Sequence, residues 1–226
     1  VTLVLGVGLV TGLNQAGERL GRMNQPPYAP QPMYVPQFFM KQHITMMVNR
    51  YELIASNPDG SEGHLLAFAE QKRMTFKEQV TFFADKNKSQ PVFAFRARKV
   101  IDLGSGYDVT DASGQPIGWF KKDFGKSLLR SSWHLSAPGV EAFGTERNQT
   151  IAILRRLWDF IPYIGEVWIP FVFHFDFIDN ATGQSVMAVE RKKSIRDSYI
   201  ISVPDQRLDF RVAAAMTVAL DALQSR

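Results

Sequence analysis

The side chains able to do acid–base or nucleophilic chemistry are few and scattered in this 226-residue chain. His43, His64, His134 and His174 share no HExxH-type spacing that would turn two imidazoles toward one metal from a single helix face. Each therefore reads as a strand histidine that is exposed or hydrogen-bonded. Ser131 and Ser132 stand near His134 without the G-x-S-x-G turn that lifts a hydrolase nucleophile above its sheet. Gly104-Ser-Gly106 lacks the Lys and Ser or Thr that complete a phosphate-cradling loop, and reads as a turn. There is no cysteine, which removes disulfides, thiol catalysis and Cys-built metal sites. No cofactor or metal is expected, and the chain reads as a non-enzyme.

What remains is charge. Lys121, Lys122, Lys126 and Arg130 form one basic group, and Arg191, Lys192, Lys193 and Arg196 form a second. The chain carries a net charge of +4 and a pI near 9.3, a balance compatible with anionic partners and equally with none. The competing reading of both groups is a solvated rim that protects strand edges from pairing with other chains. Nucleic acid is not an expected partner, because the aromatics alternate inward along strands rather than interleaving with a basic stripe.

The elements that carry these groups show up when the chain is compared with itself. Tyr107 to Phe124 and Phe175 to Ser194 are similar segments: Asp108 matches Asp176, Asp111 matches Asp179, Gly114 matches Gly183, and Lys121 and Lys122 match Lys192 and Lys193. A weaker copy runs from Tyr51 through Asn57, Pro58, Asp59 and Gly60 to Phe68. A fourth spans Trp133 to Arg147 with its turn at Pro138 and Gly139. Each unit reads strand, turn, strand, because Asp, Asn and Ser beside Gly supply the hydrogen bonds and positive φ of tight turns. Alternation places Phe171, Phe173, Phe175 and Phe177 on one face, Phe93, Phe95 and Ala97 on another strand's face, and begins at Ile44, Met46 and Val48. The count of 17 Phe suits wide β cores. About a dozen such strands leave exposed edges unless the sheet closes, so a barrel is expected. Inside a barrel an ammonium group has no place, so both Lys pairs should sit at strand ends.

Two segments break the pattern. Gln149 to Phe160 has helical spacing at Ile151, Leu154 and Trp158 and ends before Pro162, predicting a helix near 149–160. The second begins after Pro204. Asp205 is placed to cap a helix, Asp209 to sit at its positive end and Arg226 at the other. Between Val212 and Leu220 only Thr217 is polar, so this helix is apolar all round and must be surrounded. The run falls short of the roughly 20 residues a bilayer span needs, and Arg211 and Asp221 close it. It is therefore expected to fill the barrel, with Ala213, Ala214 and Ala215 packing closely against inward Phe side chains. The predicted fold is mainly β (α+β): a closed antiparallel barrel of about twelve strands around a central hydrophobic C-terminal helix.

Hairpins of the form aromatic-Asp-x-x-Asp-x-x-Gly followed by Lys-Lys, then Ser198-Tyr-Ile-Ile-Ser-Val-Pro204 and an Ala-rich terminal helix, resemble the LURP-one-related branch of the tubby C-terminal-like and scramblase-like superfamily. The resemblance covers about Phe38 to Leu223 and implies the same barrel. Tubby domains bind phosphoinositide headgroups through surface basic residues, so the resemblance makes the two basic groups candidates for contacting an anionic phospholipid surface. The calcium-binding segment of scramblases has its counterpart near Asp197, Asp205 and Asp209, which lack the alternating oxygen ligands, central Gly and closing Glu of an EF-hand-type loop. Those aspartates read as caps and solvated surface.

Residues 1–37 are expected to lie outside the barrel domain, which is assigned to 38–226. Val1 to Leu13 is apolar but too short to span a bilayer, and Met23 reads as a natural start preceded by an extension. Asn24 to Gln37 is rich in Pro and Gln and reads as a tail, whose Pro26-Pro27-Tyr28 triplet is of a kind that aromatic grooves bind. Three functional readings follow. The first is a non-catalytic intracellular binding module, cytoplasmic and peripheral to membranes, that associates with anionic lipid. The second is a scaffold recruiting a protein partner through the Pro-rich tail, and the third is a lipid-translocating protein.

Overall fold

The structure is a computed structural model that describes residues 32–45, 48–72, 79–98, 106–123, 131–147, 174–192 and 198–224. The first six strands are β1 (Gln37–Ile44), β2 (Val48–Ser56), β3 (Glu62–Lys72), β4 (Gln79–Phe83), β5 (Pro91–Ala97) and β6 (Tyr107–Asp111). The next six are β7 (Pro116–Asp123), β8 (Ser132–Ala137), β9 (Val140–Glu146), β10 (His174–Asp179), β11 (Ser185–Arg191) and β12 (Ser198–Ser202), followed by one helix, α1 (Phe210–Gln224). The strands form an antiparallel meander in chain order, and β1 pairs with β12 to close the barrel. Closure leaves no free sheet edge, which removes the aggregation hazard of an open meander.

The sequence repeat is the set of hairpins. In the β6–β7 turn the Asp111 carboxylate accepts from the Ser113 and Gln115 amides at 2.9 Å, and Gly114 takes φ +82°. In the β10–β11 turn Asp179 accepts from the Ala181 and Thr182 amides at 2.9 Å, and Gly183 takes φ +70°. The second turn holds one residue more between its Asp and its Gly than the first. Tight turns need both devices, a side-chain acceptor for exposed amides and a residue without a Cβ where φ is positive. At Ile44 the expectation was different: β1 ends there, and the Thr45 amide donates to the Val48 carbonyl at 2.9 Å, so Ile44 and Val48 lie on separate strands.

α1 is enclosed on every side, with each residue from Phe210 to Ala222 buried. At the usual rise its 15 residues are about 22 Å long. Phe210 meets Phe38 and Phe93 edge to face with ring centres 6.0 and 5.9 Å apart. On β7, Gly118 leaves room for Val212 of the helix, whose methyl would lie 2.9 Å from an added Cβ.

The cap of α1 differs from the expected one. Asp209 is the N-cap, accepting from the Arg211 amide at 2.9 Å. It also accepts from the Met33 amide at 3.1 Å, while the Phe210 amide donates to the Met33 carbonyl at 2.8 Å. Asp205 serves the preceding turn, where it binds the Arg207 guanidinium. Asp209 is buried and pairs with Arg211 at 2.7 Å, so it caps the helix but is not solvated surface. Residues 33–36, assigned from sequence to the tail, instead bind the barrel: besides the Met33 contacts, the Tyr34 hydroxyl donates to Val203 and the Val203 amide to Pro36. The helix expected near 149–160, the remainder of the tail and Arg226 lie outside the described residues.

Candidate functional site

In an up-and-down meander all odd-numbered strands run the same way, so β7 and β11 deliver their final residues to one rim of the barrel. Lys121 and Lys122 precede the last residue of β7, Arg191 ends β11 and Lys192 follows it. The expected placement at strand ends therefore holds for Lys121, Lys122 and Lys192. Lys126, Arg130, Lys193 and Arg196 lie outside the described residues.

The four do not form one patch. β7 and β11 are separated by three strands, a path of roughly 19 Å around the sheet at the usual strand spacing. Lys121 faces outward and is exposed, in register with His134 on β8. Lys122 is in register with Trp133 and turns inward at the rim, its Nζ 5.8 Å from the centre of that ring. Lys192 is exposed and lays its Nζ 4.4 Å over the face of Phe39, where the ring quadrupole attracts a cation.

Between them the outer wall is mixed in sign. Arg147 binds Asp176 at 2.5 Å and Glu190 at 2.9 Å, which holds its guanidinium above the ordinary value, largest through the Asp176 bond. His134 lies 3.4 Å from Asp123, and His174 3.9 Å from Glu190. Elsewhere Glu52, Glu62 and Glu70 are each paired with lysine or arginine. Among the described residues no group of three or more acidic or histidine side chains converges as a metal site.

A feature not anticipated from sequence lies inside the same rim. Two residues beyond the apolar inward positions Met40, Tyr51, Ala69, Phe120, Gly144 and Val189 come Gln42, Asn49, Gln71, Lys122, Glu146 and Arg191. Alternation places these six on the inner face, so the barrel lining changes from apolar to polar within one layer. Glu146 is nevertheless fully buried. On one side of this layer the Gln42 amide donates to the Tyr51 hydroxyl at 3.4 Å, and Tyr51 and Tyr199 donate to the two Asp221 oxygens at 3.3 and 2.6 Å. Burial, and then the Asp221 charge, push the Tyr51 phenol well above its ordinary value. The signal was present in the strand patterns, since in these six strands the run of inward apolar residues ends on a polar one, but polar strand ends are normally solvated. Only burial distinguishes them.

A closed twelve-stranded meander enclosing its own C-terminal helix defines a tubby-like barrel domain. Residues 66–221 match the LURP-one-related family, and the chain belongs to it. The tubby-like and scramblase-like superfamily is consistent with that membership. No curated protein matches the chain.

Proposed function

We propose that the protein is a non-catalytic binding module, working at the cytoplasmic face of a membrane, whose basic rim associates with anionic phospholipid. The observation that carries this reading is the delivery of two basic strand ends, β7 and β11, to one rim with Lys121 and Lys192 exposed. Two contact points on one edge suit a flat anionic surface better than a single small anion, which would need them convergent. Each lysine near such a surface contributes about 1 kcal/mol. Family membership supports a tubby-like barrel domain, in keeping with a binding role.

Lipid translocation is not favoured by the helix, because α1 is the barrel's own core and withdrawing it would expose its whole apolar surface. Among the described residues no helix is long and apolar enough to cross a membrane.

Flotation with vesicles of neutral phosphatidylcholine, with and without phosphatidylserine, tests the proposal. Binding should require the anionic lipid, weaken with salt, and fall about tenfold or more in Lys121→Glu/Lys192→Glu. Binding that is equal on both vesicle types, or unchanged in the variant, would remove the lipid reading.

A further inference from the structure

The polar layer inside the basic rim holds hydrogen-bonding groups that the protein does not use. Gln42 and Gln71 are 4% and 6% exposed, yet Gln42 Oε1 and Gln71 Nε2 have no hydrogen-bonding partner, and neither does Asn49 Oδ1 between them. The three belong to adjacent strands in register: Gln42 lies opposite Tyr51, and Asn49, two residues before Tyr51, lies opposite Gln71. They therefore share the inner face at one rim, Asn49 directly opposite Gln71 and diagonal to Gln42, beside the Tyr51–Asp221–Tyr199 hydrogen bonds at the end of α1. A buried amide oxygen or NH2 group left without a partner costs about 1–3 kcal/mol. Three on neighbouring strands form a set that a partner of matching chemistry would relieve together.

We propose that Gln42, Asn49 and Gln71 line an internal site for a small neutral molecule bearing hydroxyl groups. The chemistry argues for this class. The orphaned atoms are uncharged and include both acceptors and a donor, and each amide carries one end of each kind. A hydroxyl donates and accepts, so a polyol matches the set whichever way each amide is turned. An anion would approach the Asp221 carboxylate, already engaged by two tyrosine hydroxyls. The site is separate from the outward lysines invoked for lipid: it faces the barrel interior, and neither Lys121 nor Lys192 belongs to it.

The test is a titration of the full chain with glycerol and with myo-inositol, followed through the side-chain amide signals of Gln42, Asn49 and Gln71 in proton–nitrogen NMR spectra. Inorganic phosphate and ammonium serve as charged probes. The expected result is a saturable shift of these signals with at least one polyol, weakened about tenfold for each hydrogen bond removed in Gln42→Leu/Gln71→Leu. If that double variant does not fold, the Gln42 signal in Gln71→Leu decides on the same criterion. Shifts that stay linear with both polyols would mean that ordered water alone fills the layer, and would overturn the proposal. So would saturation by phosphate or ammonium and not by a polyol, or saturation undiminished in the variants.

Discussion

The Tyr199 hydroxyl donates to the Asp221 carboxylate across 2.6 Å, fastening the last strand of the barrel to the last turn of the helix it encloses. Tyr51, from the opposite side of β1, donates to the other oxygen at 3.3 Å. A carboxylate that is 4% exposed is costly to bury unless hydrogen-bonded, and these two donors are part of its compensation. Asp221→Ala should therefore destabilise by about 2–5 kcal/mol, since it orphans two buried hydroxyls and leaves a gap. Asp221→Asn keeps one acceptor and should lose less. Urea unfolding of the two variants checks the order, and equal losses would contradict it.

The same contacts set an alkaline limit. Burial, reinforced by the Asp221 charge, raises the Tyr51 phenol in the folded state above its unfolded value of about 10. A raised folded value means that the folded chain holds the proton more tightly. The contribution is complete below pH ~10 and is lost as pH rises from there toward the folded value. Unfolding midpoints of the natural protein and Tyr51→Phe should accordingly diverge near neutrality and converge above pH ~10. A constant difference across that range would show that the hydroxyl is not the group responsible.

Close approach inside the barrel gives a third expectation. A Cβ on Gly144 would lie 2.3 Å from the Phe177 ring, whereas one on Gly60 would meet nothing, although Gly60 takes φ +79°. Gly144→Ala must displace a fully buried aromatic and should cost about 1–3 kcal/mol or more. Gly60→Ala carries backbone strain alone, on the order of 1 kcal/mol. Thermal unfolding of the pair separates ring displacement from turn strain, and a larger loss at Gly60 would reverse this assignment.

These particular residues show how far sequence carries and where it stops. The Asp111–Gly114 and Asp179–Gly183 turns could be read directly, because turn geometry is a local property of a few residue types. The enclosed helix was legible too, since a run such as Val212 to Ala219 with one polar residue admits few environments. Closure of the sheet was inferred from the problem of open edges, and the pairing of β1 with β12 realises it. The choice of Asp209 over Asp205 as the cap was not legible, because it depends on Met33 arriving from far away in the chain. Gln42 and Gln71 look like ordinary strand-end residues until the closed barrel covers them. The basic groups were identified by type, but their separation around the wall follows from strand order. Local chemistry is written in neighbouring residues, while burial and convergence are properties of the closed surface.

The turn aspartates predict the acid limit. Bonds from Ser113 and from the Gln115 amide hold the Asp111 carboxyl below the ordinary carboxylate range, and backbone amides of Thr182 and Ala181, with Arg207, do the same for Asp179. Asp59, Asp85 and Asp205 are lowered in the same direction. A depressed folded value means that the unfolded chain takes up the proton first. The stabilisation is present above the unfolded value of about 3.9 and is lost as pH falls through the folded value. Asp111→Asn keeps the acceptor oxygen and discards the charge, so it should be less stable than the natural protein near neutrality. The two should become equal at the acid end of the transition. Parallel urea titrations from pH ~7 down to pH ~2 measure the gap. If it persists undiminished at the lowest pH, the aspartate acts through shape rather than charge.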